Sequence, residues 1–176
     1  MTFEPDGKDW TWVTRQRCPA CGFDPATVRR EDVADRIAAS ITGWNTVLAR
    51  ADVRVRPDDH TWSALEYACH VRDVGSVMTE RLDEMLRTQP VCFDDWDQDA
   101  AAVEADYGSQ SPDAVSSQLT AAVAGFAEMY RLVREDDWSR EGLRGDGTVF
   151  TVETFAMYVL HELEHHRTDV GLPARE

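Results

Sequence analysis

Residues 151–170 read TVETFAMYVLHELEHHRTDV, and the fold and chemistry of the chain depend on this stretch. Thr151 is a residue type that caps helices, and the Gly-Leu-Pro run that begins at Gly171 ends one. These signals predict a helix from residue 152 to about residue 170. His161 and His165 lie four residues apart, so the helix carries both on one face, with Cβ atoms roughly 5–6 Å apart.

Three other stretches have helical periodicity. The first begins between residues 24 and 30 and has an apolar stripe at Ile37, Ile41, Trp44 and Leu48. The second, with Thr61 as its cap, runs from residue 62 to about 87, and Pro90 ends it. The third begins at Ser111-Pro112-Asp113 and runs to about residue 134. Four such helices predict an all-α fold, a four-helix bundle with long crossover connections.

The segments between the helices are predicted to be irregular, because no apolar run alternates with period two. Residues 1–23 form an irregular N-terminal segment with a Cys-Pro-Ala-Cys motif, and residues 24–176 form the bundle domain. The connection over residues 89–110 is long enough to cross the bundle from end to end, and connections of this length are often functional. A second irregular connection covers residues 136–150.

Composition and charge exclude several classes of function. The net charge of −15, from 18 basic and 33 acidic side chains, would repel nucleic acid and anionic membrane surfaces. No run approaches the roughly 18 apolar residues of a membrane span. Residues 1–8 lack the apolar core of a leader peptide, so we expect a cytoplasmic protein. Its four cysteines are then expected to be reduced.

Three histidines are the predicted metal ligands. The run from His161 to His165 matches the His-Glu-x-x-His pattern of zinc proteases, but the eleven residues after His165 hold no histidine beyond the adjacent His166 to serve as a downstream third ligand. The third ligand must then come from upstream, and His70 lies among apolar neighbours in the middle of the second helix. Three neutral imidazoles leave an open position, as in catalytic sites, and suit Zn, Ni, Fe or Mn. A purely structural histidine cluster is the alternative.

Other residues near this pattern have secondary roles. Asp169 is a candidate outer partner of the ligands, while His166 points about 100° away from His165 and is interpreted as an outer partner or exposed. His60 is interpreted as facing solvent. Cys18 and Cys21 resemble one knuckle of a zinc ribbon whose second pair is missing; a structural turn, a redox pair and a metal site shared across a dimer all stay open.

Five residues are candidates for a catalytic role. If both long connections cover the open side of the metal site, Arg144 would bind a substrate carboxylate and one of Asp97, Asp99 and Asp146 would accept a proton. Glu162 is a candidate base or orienting group beside the ligands. The alternative for the loop residues is a solvated surface with local ion pairs.

Several motifs together resemble a known family. Trp62-Ser63, Glu66, His70-Val71-Arg72-Asp73 and the downstream His161-x-x-x-His165 resemble the DinB-like (DinB/YfiT-like) superfamily, which includes the mycothiol-dependent maleylpyruvate isomerases. Within it, the chain is similar to an actinobacterial branch in three segments, at residues 18–24, 96–99 and 144–147.

The resemblance implies a four-helix bundle with a metal ion between helices, held by His70, His161 and His165. It also implies transfer chemistry that depends on a low-molecular-weight thiol, mycothiol or bacillithiol, of which the arginine-rich, lysine-poor composition favours mycothiol.

Three functions follow as hypotheses. The first is a divalent-metal- and thiol-dependent transferase that acts on a small electrophilic substrate, and the second is a hydrolase that uses a metal-bound water. The third is a non-catalytic metal-binding or stress protein, dimeric through an exposed helix face.

Overall fold

The structure is a computed structural model that describes residues 9–174. The predicted irregular segment begins at residue 1, so residues 1–8 of it lie outside the described part. Among residues 9–174, no helix has the length and apolar character that crossing a membrane requires.

Five helices build the bundle, because the predicted first helix is divided. Their bounds are α1 (Val33–Ser40), α2 (Trp44–Leu48), α3 (Ala64–Arg87), α5 (Pro112–Arg131) and α6 (Val152–Asp169). Gly43 separates α1 from α2 with a φ of +93°, and a Cβ at this position would lie 2.9 Å from the side chain of Leu172. Glycine is therefore favoured here, because the left-handed backbone strains other residues and a Cβ would force the Leu172 side chain to shift. The predicted four-helix bundle is confirmed.

Local capping explains where the long helices begin. Ser63 caps α3, its hydroxyl accepting from the Glu66 backbone N–H while the Glu66 carboxylate accepts from the Ser63 backbone N–H. The prediction that Thr61 is the cap is wrong: its hydroxyl donates to Asp58 instead. Ser111 and Thr151 cap α5 and α6 as predicted.

Both long connections contribute to a small sheet, so the prediction that they are irregular is wrong. Strand β1 (Val91–Phe93) pairs in parallel with β2 (Glu141–Arg144), and β2 pairs antiparallel with β3 (Val149–Thr151). A short helix, α4 (Gln98–Glu104), follows β1. Strands of three or four residues are too short to show an alternating pattern, which is why the sequence did not indicate them.

The N-terminal segment packs against α6. A 3-10 turn (Thr11–Thr14) contacts this helix, and Cys18, Cys21 and Phe23 belong to the same buried core as the bundle. This packing brings the Cys-Pro-Ala-Cys turn to the helix that carries the clustered histidines.

Candidate metal centres

Helix α6 presents donor side chains on two adjacent faces. Successive residues of an α-helix are rotated by about 100°, so His161 and His165 share one face while Glu162 and His166 share the next. Two groups of metal-ligating side chains result, and the ligand atoms within each lie within 4.8 Å of one another. We call them the histidine–glutamate site (His70, Glu162, His166) and the cysteine–histidine site (Cys18, Cys21, His161, His165).

The histidine–glutamate site joins α3 to α6. Oε1 of Glu162 lies 3.0 Å from Nε2 of His70 and 3.1 Å from Nε2 of His166. The two imidazole rings are 4.8 Å apart and nearly perpendicular. Three donors on a tetrahedral ion would be separated by about 3.3 Å. The distances from Glu162 Oε1 to the two imidazole nitrogens would therefore have to lengthen only slightly for the three atoms to bind one divalent cation.

Burial and charge set the protonation of this site. Burial lowers the pKa of His70, which is fully buried. Burial alone would also lower the pKa of His166, but hydrogen bonds to Asp169 and Glu162 raise it to about 9. Burial likewise opposes ionisation of Glu162, yet its bonds from His166 and His70 hold its pKa well below the usual range. Glu162 is therefore an anionic carboxylate, and its cationic partner is the protonated imidazole of His166.

Outer contacts orient the ligands. Oδ2 of Asp169 lies 2.8 Å from Nδ1 of His166, which leaves Nε2 to face Glu162. A carboxylate in this position is the usual outer partner of a metal-bound histidine. The indole of Trp96 stacks on the His70 ring, with centroids 5.5 Å apart and planes within 3°. Nδ1 of buried His70 has no hydrogen-bond partner among the described residues.

The donor chemistry fits a metal ion. Two imidazole nitrogens and one carboxylate oxygen are the ligand set of several catalytic zinc sites, in which the fourth position stays open. An open position needs access, and Glu162 and His166 lie in the wall of a pocket.

That pocket has a volume of about 520 Å³, within the usual range for small-molecule sites. Its wall is rich in aromatic and acidic side chains: Trp10, Tyr67, Trp96, Tyr158, Asp97, Asp99, Glu162 and Asp169, with His161, His165 and His166. Such a wall has apolar surface for an organic substrate next to polar groups that face the metal site.

Among the described residues, the predicted histidine trio does not form one group of ligand atoms within 4.8 Å of one another. His161 and His165 are neighbours, with rings 5.0 Å apart, but the structure groups them with cysteines and places His70 with Glu162 and His166. The predicted and the observed groups differ by one position along α6, which corresponds to about 100° around the helix axis. His70 faces the side of the helix that carries positions 162 and 166. The trio stays a prediction, and the geometry favours the regrouped set.

The predicted catalytic residues lie in different surroundings. Asp97 and Asp99 line the pocket, although the Asp97 carboxylate also caps α4 by accepting from the backbone N–H groups of Asp99 and Ala100. Glu162 lies between His70 and His166, where it is a candidate ligand rather than a base. Arg144 and Asp146 form a mutual ion pair of 2.7 Å in the β2–β3 hairpin. Arg144 is not among the described residues that line the pocket, but its guanidinium lies 5.9 Å from the ring centroid of Tyr158, which does line it.

His166 is the ligand candidate that the sequence reasoning missed. His161 and His165 are the predicted pair, and His166 is interpreted from the sequence as an outer or exposed group. The signal was present, because Glu162 and His166 are also four residues apart and therefore share a face.

Comparisons with known proteins agree with the fold. The sequence model of the DinB superfamily matches residues 36–170. YfiT from Bacillus subtilis, described as a probable metal-dependent hydrolase with an unusual four-helix bundle topology, superposes with a TM-score of 0.70 at 16% identity, over 88% of this chain and 90% of YfiT. The mycothiol-dependent maleylpyruvate isomerase superposes with a TM-score of 0.64 at 16% identity, over 85% of this chain and 63% of the isomerase. No curated protein sequence gives a significant match.

Proposed function

The chain belongs to the DinB superfamily, and from the geometry of its site we propose that it is a divalent-metal-dependent enzyme with His70, Glu162 and His166 as ligands. The observation that carries the proposal is the convergence of three donor atoms beside a pocket of about 520 Å³. Oε1 of Glu162 lies about 3 Å from Nε2 of His70 and about 3 Å from Nε2 of His166.

The chain's own residues prepare the site. Asp169 orients His166, and Trp96 holds the ring of His70 by stacking on it. A bound divalent ion would supply a Lewis acid whose open position lowers the pKa of a thiol or a water molecule. Asp99 in the pocket wall is the candidate to accept the proton that this ligand loses.

The leading reaction is transfer of a small electrophilic group to a low-molecular-weight thiol such as mycothiol. None of the described residues that line the pocket is a cysteine, so a nucleophilic sulfur would have to arrive with a second substrate. The shared fold with the mycothiol-dependent isomerase supports this choice. Zn, Ni, Fe or Mn would each suit two imidazoles and a carboxylate.

Hydrolysis is the second candidate. It is favoured by the donor set itself, because two histidines and a glutamate hold zinc in several hydrolases that activate water. The fold shared with YfiT points in the same direction. A cytoplasmic location and a homodimer stay predictions of the sequence.

The test loads the metal-free protein with each ion in turn. Thiol adducts of mycothiol, bacillithiol or glutathione with an aryl halide or an epoxide are measured by mass spectrometry, and ester and amide hydrolysis is measured in parallel. His70→Ala and His166→Ala are expected to lower the turnover at least a hundredfold, whereas His60→Ala, in an exposed turn, is the matched control.

The outcomes separate the hypotheses. Metal-dependent turnover that needs a thiol supports the transferase, and turnover without a thiol supports the hydrolase. Tight metal binding without turnover of either kind would contradict an enzymatic function and support the metal-binding protein. Turnover that survives both histidine substitutions would contradict the assigned ligands.

A further inference from the structure

The cysteine–histidine site begins in a tight turn of the N-terminal segment. The backbone N–H of Gly22 donates to the carbonyl of Cys18 at 2.9 Å, and the N–H of Cys18 donates to the carbonyl of Phe23 at 2.8 Å. Gly22 closes the turn with a φ of +81°. The turn brings two thiols side by side, and both are buried and unoxidised.

Helix α6 supplies two imidazoles directly opposite the turn. Sγ of Cys18 lies 3.8 Å from Nδ1 of His165, and the four donor atoms lie within 4.8 Å of one another. A tetrahedral zinc ion with bonds of about 2.3 Å to sulfur and 2.0–2.1 Å to nitrogen separates such a sulfur and nitrogen by about 3.6 Å. The observed separation is close to this value.

His161 is an independent sign that a cation belongs here. Its side chain is 2% exposed, and neither ring nitrogen has a hydrogen-bond partner among residues 9–174. A buried imidazole with both nitrogens unsatisfied costs free energy that a metal–nitrogen bond would offset. The rings of Trp10 and Phe23 pack against the His161 ring, with centroids 5.3 and 5.7 Å from it.

We propose that Cys18, Cys21, His161 and His165 bind a structural zinc ion, distinct from the ion of the histidine–glutamate site. The donor set is that of closed Cys2His2 sites, and both pairs have the required spacings, Cys-x2-Cys and His-x3-His. On binding, each thiol loses its proton to solvent. The two thiolates then balance the charge of Zn²⁺, so a neutral unit is buried.

The ion would fix one wall of the pocket. Trp10 and Ala20 lie on the N-terminal segment and line the same pocket as Glu162 and His166. In the proposed site the segment is held to α6 by metal bonds from both of its cysteines. Structural zinc would therefore order a wall of the pocket without contacting the substrate.

X-ray absorption tests the proposal on a full-length chain that carries His70→Ala and His166→Ala, so that only the cysteine–histidine site remains. We expect one equivalent of zinc with two sulfur ligands at about 2.3 Å and two nitrogen ligands at about 2.0–2.1 Å. A shell of only nitrogen and oxygen, or no retained zinc, would overturn the proposal. This measurement needs no substitution within the proposed site.

Cobalt replacement and thiol labelling give a second readout in the wild-type histidine–glutamate background. Cys18→Ser, which leaves one of the two proposed sulfur ligands, is expected to lower the sulfur-to-cobalt charge-transfer absorption at least twofold, and the matched control Cys92→Ser, an exposed thiol, is expected to retain it in full. A chelator should increase the alkylation rate of Cys21 at least tenfold. An unchanged rate, or a Cys18–Cys21 disulfide in the protein as purified, would contradict a zinc site.

Discussion

Asp169→Asn is the substitution that best tests the arrangement of α6, because this carboxylate faces both proposed metal sites. Oδ2 of Asp169 accepts from Nδ1 of His166 at 2.8 Å, while Oδ1 lies 4.0 Å from Nε2 of His165. Asparagine keeps the shape of the side chain but removes its charge. The substitution should weaken both sites, and the nearer one more.

The size of the effect follows from these distances. Loss of an outer carboxylate that orients a metal-bound histidine lowers metal affinity about 10- to 100-fold, or about 1.4–2.8 kcal/mol. The Asp169 side chain is 26% exposed and Asn can still accept one bond, so we expect about tenfold at the histidine–glutamate site. At the cysteine–histidine site the contact is longer than a hydrogen bond, so we expect at most about threefold.

The assay is a zinc competition titration against a chromogenic chelator, with each site isolated in turn. One background carries Cys18→Ser and Cys21→Ser, and the other carries His70→Ala and His166→Ala. Asp83→Asn is the matched control, because Asp83 pairs with Arg87 at the end of α3. A loss below twofold at the histidine–glutamate site, or a larger loss at the cysteine–histidine site, would refute the reasoning.

Three further predictions concern stability and binding. Glu164→Gln should lower the free energy of unfolding by about 2 kcal/mol, because the 4% exposed carboxylate accepts three charge-assisted hydrogen bonds from Arg36. Urea denaturation with a chelator present measures this, and an unchanged midpoint would contradict it. Trp96→Ala should raise the Kd of a bound thiol or electrophile three- to tenfold by calorimetry at saturating zinc, since an aromatic wall contributes about 0.5–1.5 kcal/mol; an unchanged Kd would contradict this. Burial opposes ionisation of Glu66, but hydrogen bonds from Arg56 and Ser63 hold the pKa of its carboxyl below the usual value of 4.5. The ionised carboxylate therefore stabilises the fold above pH 4.5, and this stabilisation is lost as the pH falls through the lowered pKa. Glu66→Gln should therefore be less stable than wild type at neutral pH, with the difference shrinking in acid; a constant difference would contradict the ion pair.

The helices could be predicted from the sequence because their signals are local. The caps at Ser111 and Thr151 and the glycine after α6 act within one turn of the chain, so they can be read without knowledge of the fold. Thr61 shows the limit of this approach. Both Thr61 and Ser63 are acceptable caps, and the reciprocal bond with Glu66 selects the second.

The ligand groups could not be assigned because they depend on tertiary rotation. The sequence shows that positions 161 and 165, and equally 162 and 166, share a face, but only packing decides which pair faces His70. The alternative for the loop residues was a surface with local ion pairs, and Arg144 and Asp146 form such a pair. The sequence could not decide between that role and substrate binding.

The cysteine motif illustrates the same limit over a longer distance. Cys18 and Cys21 look like half a zinc site because the sequence reasoning sought a second pair of cysteines. Their proposed partners are histidines about 140 residues downstream, and only the packing of the N-terminal segment on α6 brings the two halves together. A search for Cys-x2-Cys and His-x3-His as separate halves of one site would have found the pattern.

Helix α6 therefore links the two proposed sites physically. Glu162 and His166 follow His161 and His165 by one residue each, so a rotation of the helix that improves one site displaces the ligands of the other. Asp169 contacts a histidine of each group and opposes such a rotation. Zinc bound on the cysteine side would hold α6 at the rotation that points Glu162 and His166 toward His70. The structural ion would then increase affinity at the catalytic centre by preorganising its ligands, with no bond to that centre.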